Sequence, residues 1–239
     1  MDTDIFDLTT LDGPMRACCA SPDGPPRGGI VVIQEAFGLN AHIEDVTRRF
    51  AAGGYLAVAP ELFHRSDDPG PFSYDDFAAV IPAMAALSDE LMLADVDAAL
   101  AHLATSGIPS ARTGIVGFCM GGRVSFLVAA RRALGAAVGF YGGGIVTARF
   151  PQFPALVGEI PALATPWLGL FGDRDGSIPV DDVEQLRTAL VDAPVDTDVV
   201  RYPEAEHGFF CDLRPAYAPD AAADAWVRTL GWFERLDAP

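Results

Sequence analysis

Short apolar runs alternate with amphipathic stretches along most of the chain, and this alternation limits the fold more than any other feature. The runs Gly29–Gln34, Tyr55–Ala59, Thr113–Phe118, Ala136–Tyr141, Trp167–Gly172 and Thr197–Tyr202 read as strands. They are too short for helices, and several are rich in β-branched residues. Between them the spacing predicts helices over 41–53, 75–86, 89–106, 121–132, 180–190 and 220–235. Strands apolar on both faces must be covered on both faces, so the pattern implies an α/β class with a mostly parallel central sheet and helices on either side. The segment 5–20 differs. It holds two short runs around Asp12-Gly13, a favoured hairpin turn, and is expected to add antiparallel strands at the sheet edge. The Gly- and Pro-rich stretch 142–165 is expected to be irregular and to lie over the site end of the sheet. The 239 residues fit one domain, 1–239.

Composition excludes several functions. No lysine occurs, so neither a Schiff-base lysine nor a phosphate-loop lysine is available. The net charge of −17 argues against a nucleic acid or an anionic membrane surface as partner. No run approaches a membrane span, and residues 1–13 lack a charged segment leading into an apolar one. The four cysteines have neither a disulfide-framework spacing nor paired zinc-ligand spacing. A cytoplasmic protein, a monomer or small homo-oligomer, is expected, with no metal or cofactor and with a small-molecule substrate.

The decisive stretch is Gly117-Phe118-Cys119-Met120-Gly121, which follows the third core strand and opens a helix. It has the form of a nucleophile elbow with cysteine as the central residue. A nucleophile on so sharp a turn needs neighbours without side chains, and the helix N-terminus favours a thiolate and an oxyanion. A buried structural cysteine in a Gly-rich turn is the competing reading of these residues alone. Chain order gives an independent criterion. In the α/β-hydrolase fold the acid and then the histidine follow the nucleophile. Of the four histidines, His42, His64 and His102 precede Cys119, which leaves His207. The strand ending at Gly172 leads into Asp173-Arg174-Asp175, so Asp175 is the candidate acid and Asp173 its rival. In this reading His207 exchanges a proton with the thiol and the leaving group, and Asp175 orients the imidazole. Two amides, those of Ala36 and Met120, are the expected oxyanion donors.

Gln34-Glu35-Ala36-Phe37-Gly38-Leu39-Asn40, Ala59-Pro60-Glu61-Leu62-Phe63, the elbow with Gly122, Gly172-x-x-Asp175 and Glu206-His207-Gly208-Phe209 together resemble the dienelactone hydrolase (carboxymethylenebutenolidase) family over about residues 28–235. The resemblance implies hydrolysis of a lactone or ester through an acyl-cysteine, without metal or cofactor. It favours Asp175 over Asp173. It also implies that Glu35 contacts the resting thiol and takes its proton. The chain departs from the family in one respect. Family members that act on dienelactone hold the substrate carboxylate with two arginines. Here Cys211 stands at one of those positions, and residues 66–111, which hold the other, contain no arginine. Arg65, Arg123 or Arg214 could substitute, with Phe37, Phe63, Tyr141, Phe209 and Phe210 as candidate pocket walls. A thioesterase or dehalogenase-like enzyme and a non-catalytic binding homologue are the alternatives. Cys18 and Cys19 read as structural.

Overall fold

The computed structural model describes residues 3–237. Eight strands form one sheet: β1 (Asp4–Thr10), β2 (Gly13–Ala20), β3 (Gly29–Ile33), β4 (Leu56–Pro60), β5 (Thr113–Phe118), β6 (Ala136–Phe140), β7 (Trp167–Gly172) and β8 (Thr197–Tyr202). Their spatial order is β1-β2-β4-β3-β5-β6-β7-β8. The hairpin runs antiparallel at one edge, and β2 pairs antiparallel with β4. All later pairings are parallel. A mostly parallel sheet with an antiparallel hairpin at its edge is the arrangement expected from the alternation and the opening hairpin.

Helices α1 (Ala41–Ala52), α2 (Phe77–Ala85), α3 (Asp89–Thr105), α4 (Met120–Arg131), α5 (Val180–Ala189) and α6 (Pro219–Phe233) connect and follow the strands. Two glycines, one register step apart, show how closely both faces are covered. A Cβ on Gly29 would lie 2.9 Å from Leu103 of α3, and a Cβ on Gly114, which pairs with Ile30, would lie 2.8 Å from Phe233 of α6. Strands this closely packed on both sides carry no polar face, and all residues of β3, β4, β5, β6 and β7 are buried. Local signals start the helices. Asn40 caps α1 by accepting the Ile43 amide at 3.2 Å, and Ser88 caps α3 by accepting the Leu91 amide at 3.3 Å. Among the described residues no single helix is long and apolar enough to cross a membrane.

The parallel strands place their C-terminal ends on one rim, so the loops after β3, β5, β6, β7 and β8 meet there. The stretch 142–165 lines a cavity on this rim only through residues 143–153; it then runs along α4 to that helix's C-terminal end, where Ala164 donates to the Ala129 carbonyl, and it is not wholly irregular. Phe150 and Phe153 form an isolated bridge, and Val157–Ala162 is a short 3-10 turn.

Candidate active site

The turn after β5 is set by close backbone approach. A Cβ on Gly117 would lie 1.8 Å from the Gly121 carbonyl oxygen, and one on Gly121 would lie 2.6 Å from the carbonyls of Ile33 and Gln34. No side chain fits at either position. Between them Cys119 takes φ 55 and ψ −114, a conformation that non-glycine residues rarely adopt. It is held by its own amide, which donates to the Phe140 carbonyl at 3.0 Å, and by its carbonyl, which accepts from the Gly122 amide at 3.0 Å. The cysteine therefore projects from the sheet rim at the start of α4. The other three cysteines are buried, whereas Cys119 is partly accessible. Burial pushes the Cys18 and Cys19 thiols up to about 11 and raises that of Cys211 as well.

His207, on the loop after β8, lies beside Cys119 and opposite Asp175 from the loop after β7. Its Nδ1 is 2.6 Å from Asp175 Oδ2. The other Asp175 oxygen accepts three donors: the Ser177 amide at 2.8 Å, the Ser177 hydroxyl at 2.5 Å and the Ile178 amide at 3.2 Å. Burial alone would raise the Asp175 pKa, but the His207 and Ser177 interactions outweigh it and hold the carboxyl below its usual value. Burial also works against the imidazolium of His207. The neighbouring Cys119 and the Asp175 carboxylate overcome it and push His207 up to about 10. Asp173 faces elsewhere, in a two-bond pair with Arg201 of β8 at 2.7 Å on both oxygens. Asp175, not Asp173, therefore meets the imidazole.

Glu35, at the end of β3, is fully buried. One oxygen accepts from Arg214 at 3.3 Å, and the other makes no well-formed hydrogen bond among the described residues, although the Tyr141 hydroxyl lies close enough to help lower the carboxyl's pKa. Burial raises its pKa, against the opposing pull of Arg214 and His207. Arg214 also lies over the rings of Phe37 and Tyr74, 5.5 and 5.4 Å from their centroids. Gly208 makes room for it, because a Cβ there would lie 2.3 Å from the Arg214 guanidinium.

A cavity of about 260 Å³ opens above these groups. Cys119, His207, Ala36, Met120, Phe37 and Arg123 line it, as does Arg214. The expected pocket wall is corrected in four places. Phe63, Tyr141, Phe209 and Phe210 are buried in the core and do not line this cavity. Phe63 packs edge-on against Phe72, and the Tyr141 ring abuts His207 at 5.1 Å. Phe209 lies between Tyr141 and Tyr202, and Phe210 stacks on Phe118. The expected substrate arginines are also engaged. Arg123 grips buried Asp89 through both terminal nitrogens, at 2.6 and 3.0 Å. Arg65 pairs with buried Asp95 away from the cavity. The sequence reading missed Phe77, Met84, Phe150, Phe153, Arg149 and Ser177, all of which line the cavity. Only Ser177 carried a local signal, the Asp-x-Ser spacing of an Asx turn.

Comparisons with known proteins bear on the family and the fold. A model of the dienelactone hydrolase family matches residues 15–236. A protein named as a carboxymethylenebutenolidase from Salmonella typhimurium is 40% identical over 208 residues, covering 85% of this chain and 76% of the relative. One of the same name from Yersinia pestis is 39% identical over 224 residues, covering 92% and 83%. A crystal structure titled as a dienelactone hydrolase from Klebsiella pneumoniae superposes with a TM-score of 0.90 at 37% identity, covering 98% of each chain. A dienelactone hydrolase-like promiscuous phosphotriesterase from metagenomic libraries shares the fold, with a TM-score of 0.78 at 23% identity and 98% coverage of each chain.

Proposed function

The chain belongs to the dienelactone hydrolase family, and on that premise we propose that it cleaves a carboxylic ester or lactone through an acyl intermediate on Cys119. The observation that carries this reading is the convergence of three separate loops: a partly accessible cysteine held at φ 55 on the elbow, a histidine beside it, and a carboxylate 2.6 Å from that histidine.

The chemistry follows from the charges. A thiolate beside an imidazolium is favoured by the helix N-terminus and by Asp175 behind the ring. The sulfur adds to the ester carbonyl carbon, and the oxyanion is received by the amides of Ala36 and Met120. As a first-turn residue of α4, Met120 has no acceptor within the helix for its N–H. The tetrahedral intermediate collapses, the C–O bond breaks, and the leaving alkoxide takes the proton from His207. Neutral His207 then removes a proton from water, which attacks the thioester and releases the acid and the thiolate. In the resting site the sulfur is proposed to be a thiol; Glu35 takes its proton when substrate enters, beside an already charged His207, and returns it to the sulfur once the acid has left. The Glu35 oxygen without a well-formed hydrogen bond and the raised pKa suit a carboxyl that can hold a proton. The Arg214 contact works the other way and favours the charged form of Glu35.

Intact-protein mass spectrometry tests the reading. Brief exposure to activated aryl esters is expected to add one acyl mass, mapped to the Cys119 peptide. Cys119→Ala is expected to lower kcat by about a thousandfold or more. Undiminished turnover in that variant rejects the cysteine mechanism.

A further inference from the structure

Three guanidinium groups reach the cavity, those of Arg123, Arg149 and Arg214. Two already have counter-ions. Arg123 pairs with Asp89, with one nitrogen also donating to the Pro154 carbonyl, and Arg214 pairs with Glu35. Arg149 is different. Among the described residues it has no carboxylate within 4.0 Å, whereas every other arginine except Arg112 has one. Arg112 is instead satisfied by the carbonyls of Pro26 and Arg27. With 33 acidic residues to 16 basic ones, an arginine without an acid is unusual in this chain, and this one stands exposed at the cavity mouth.

The loop after β6 makes room for it. A Cβ on Gly143 would lie 2.6 Å from Arg149 Nη1 and 3.1 Å from its Cδ, so the side chain lies across a position without a side chain. Around it the walls are aromatic, formed by Phe37, Phe77, Phe150 and Phe153. Such a cavity accepts an apolar body and offers one unpaired cation to a charged end. The net charge of −17 repels anions at a distance, so any preference for an acidic substrate must arise from a local contact.

We propose that Arg149 is a specificity-determining residue that binds the carboxylate of a half-ester substrate whose apolar chain rests on the aromatic walls. The proposal rests on the hydrolytic reading above. It takes anion recognition away from residue 211 and from 66–111 and assigns it to the loop after β6.

The test compares 4-nitrophenyl hydrogen glutarate with 4-nitrophenyl pentanoate, which replaces the terminal carboxylate by a methyl group, after subtraction of spontaneous hydrolysis. The readout is the ratio of kcat/KM for the acidic ester to that for the neutral one. Arg149→Ala is expected to lower this ratio about tenfold, and Arg149→Glu further, as befits a single charge-assisted contact near solvent. Gly143→Ala, which forces the guanidinium off its seat, is expected to lower it in the same direction. Circular dichroism checks that each variant is folded. An unchanged ratio in Arg149→Ala, or equal losses on both esters, overturns the proposal while leaving ester hydrolysis intact. If the unmodified enzyme cleaves neither ester, the hydrolytic reading fails, and this inference with it.

Discussion

His207 is the residue whose surroundings matter most, because burial and charge pull its proton in opposite directions. Burial favours the neutral ring, whereas Cys119 and Asp175 favour the imidazolium and win. A histidine pKa raised above the ordinary value keeps its proton as pH rises, and loses it only as pH passes the raised value. The leaving group therefore has a proton donor well into the alkaline range. The expected pH profile of kcat/KM is level from about pH 7 to about pH 8.5 and declines only toward about pH 10, as the imidazolium titrates. A stopped-flow profile with an alkaline decline centred near 7 would contradict a stabilised imidazolium. At this scale the sequence was legible where chain order counted and silent where partners counted. Order excluded three histidines. It left Asp173 beside Asp175, since the deciding partner of Asp173 is Arg201 on the neighbouring strand β8. It also offered Arg123 as a substrate ligand, because nothing in the local sequence reveals that Asp89, 34 residues earlier, already occupies it.

The elbow and its helix were the most readable elements. Glycines at 117 and 121 flank a cysteine between an apolar run and an amphipathic one, and in the structure backbone stands where their side chains would be. Element boundaries moved by only a residue or two, as when α4 begins at Met120. The short bridge and the 3-10 turn within 142–165 were illegible because tertiary contacts, not periodicity, fix them. One tie between elements is large enough to measure. Arg123 of α4 and Asp89 of α3 are both buried, and their two-bond pair holds the two helices together. Removing one member leaves a buried charge without its partner. Asp89→Ala is accordingly expected to cost about 3–5 kcal/mol in urea denaturation. Arg187→Ala, which removes an exposed pair with Glu184, is expected to leave the urea midpoint nearly unchanged. Similar losses in the two variants would mean that the buried pair contributes little.

At the scale of the molecule, the strand alternation and the opening hairpin foretold the layers and the antiparallel edge, because a twice-buried sheet writes itself into apolar runs. The aromatic continuity beneath the site could not be foretold. Phe118 at the end of β5 stacks on Phe140 of β6 at 4.8 Å and on Phe210, three residues past His207, at 5.4 Å. Phe210 continues to Trp226 of α6, and His42 of α1 lies edge-on to both Phe118 and Phe210. These rings bind the nucleophile turn, the histidine loop and two covering helices into a single packed body. Loosening any one member opens a void beside all the others. Catalytic competence should therefore vanish together with tertiary order. In a denaturant titration, ester turnover and near-ultraviolet dichroism are expected to fall along one superimposable curve, with no folded but inactive plateau between them. An enzyme of this construction ages all at once, and the fraction still native gives its remaining activity directly.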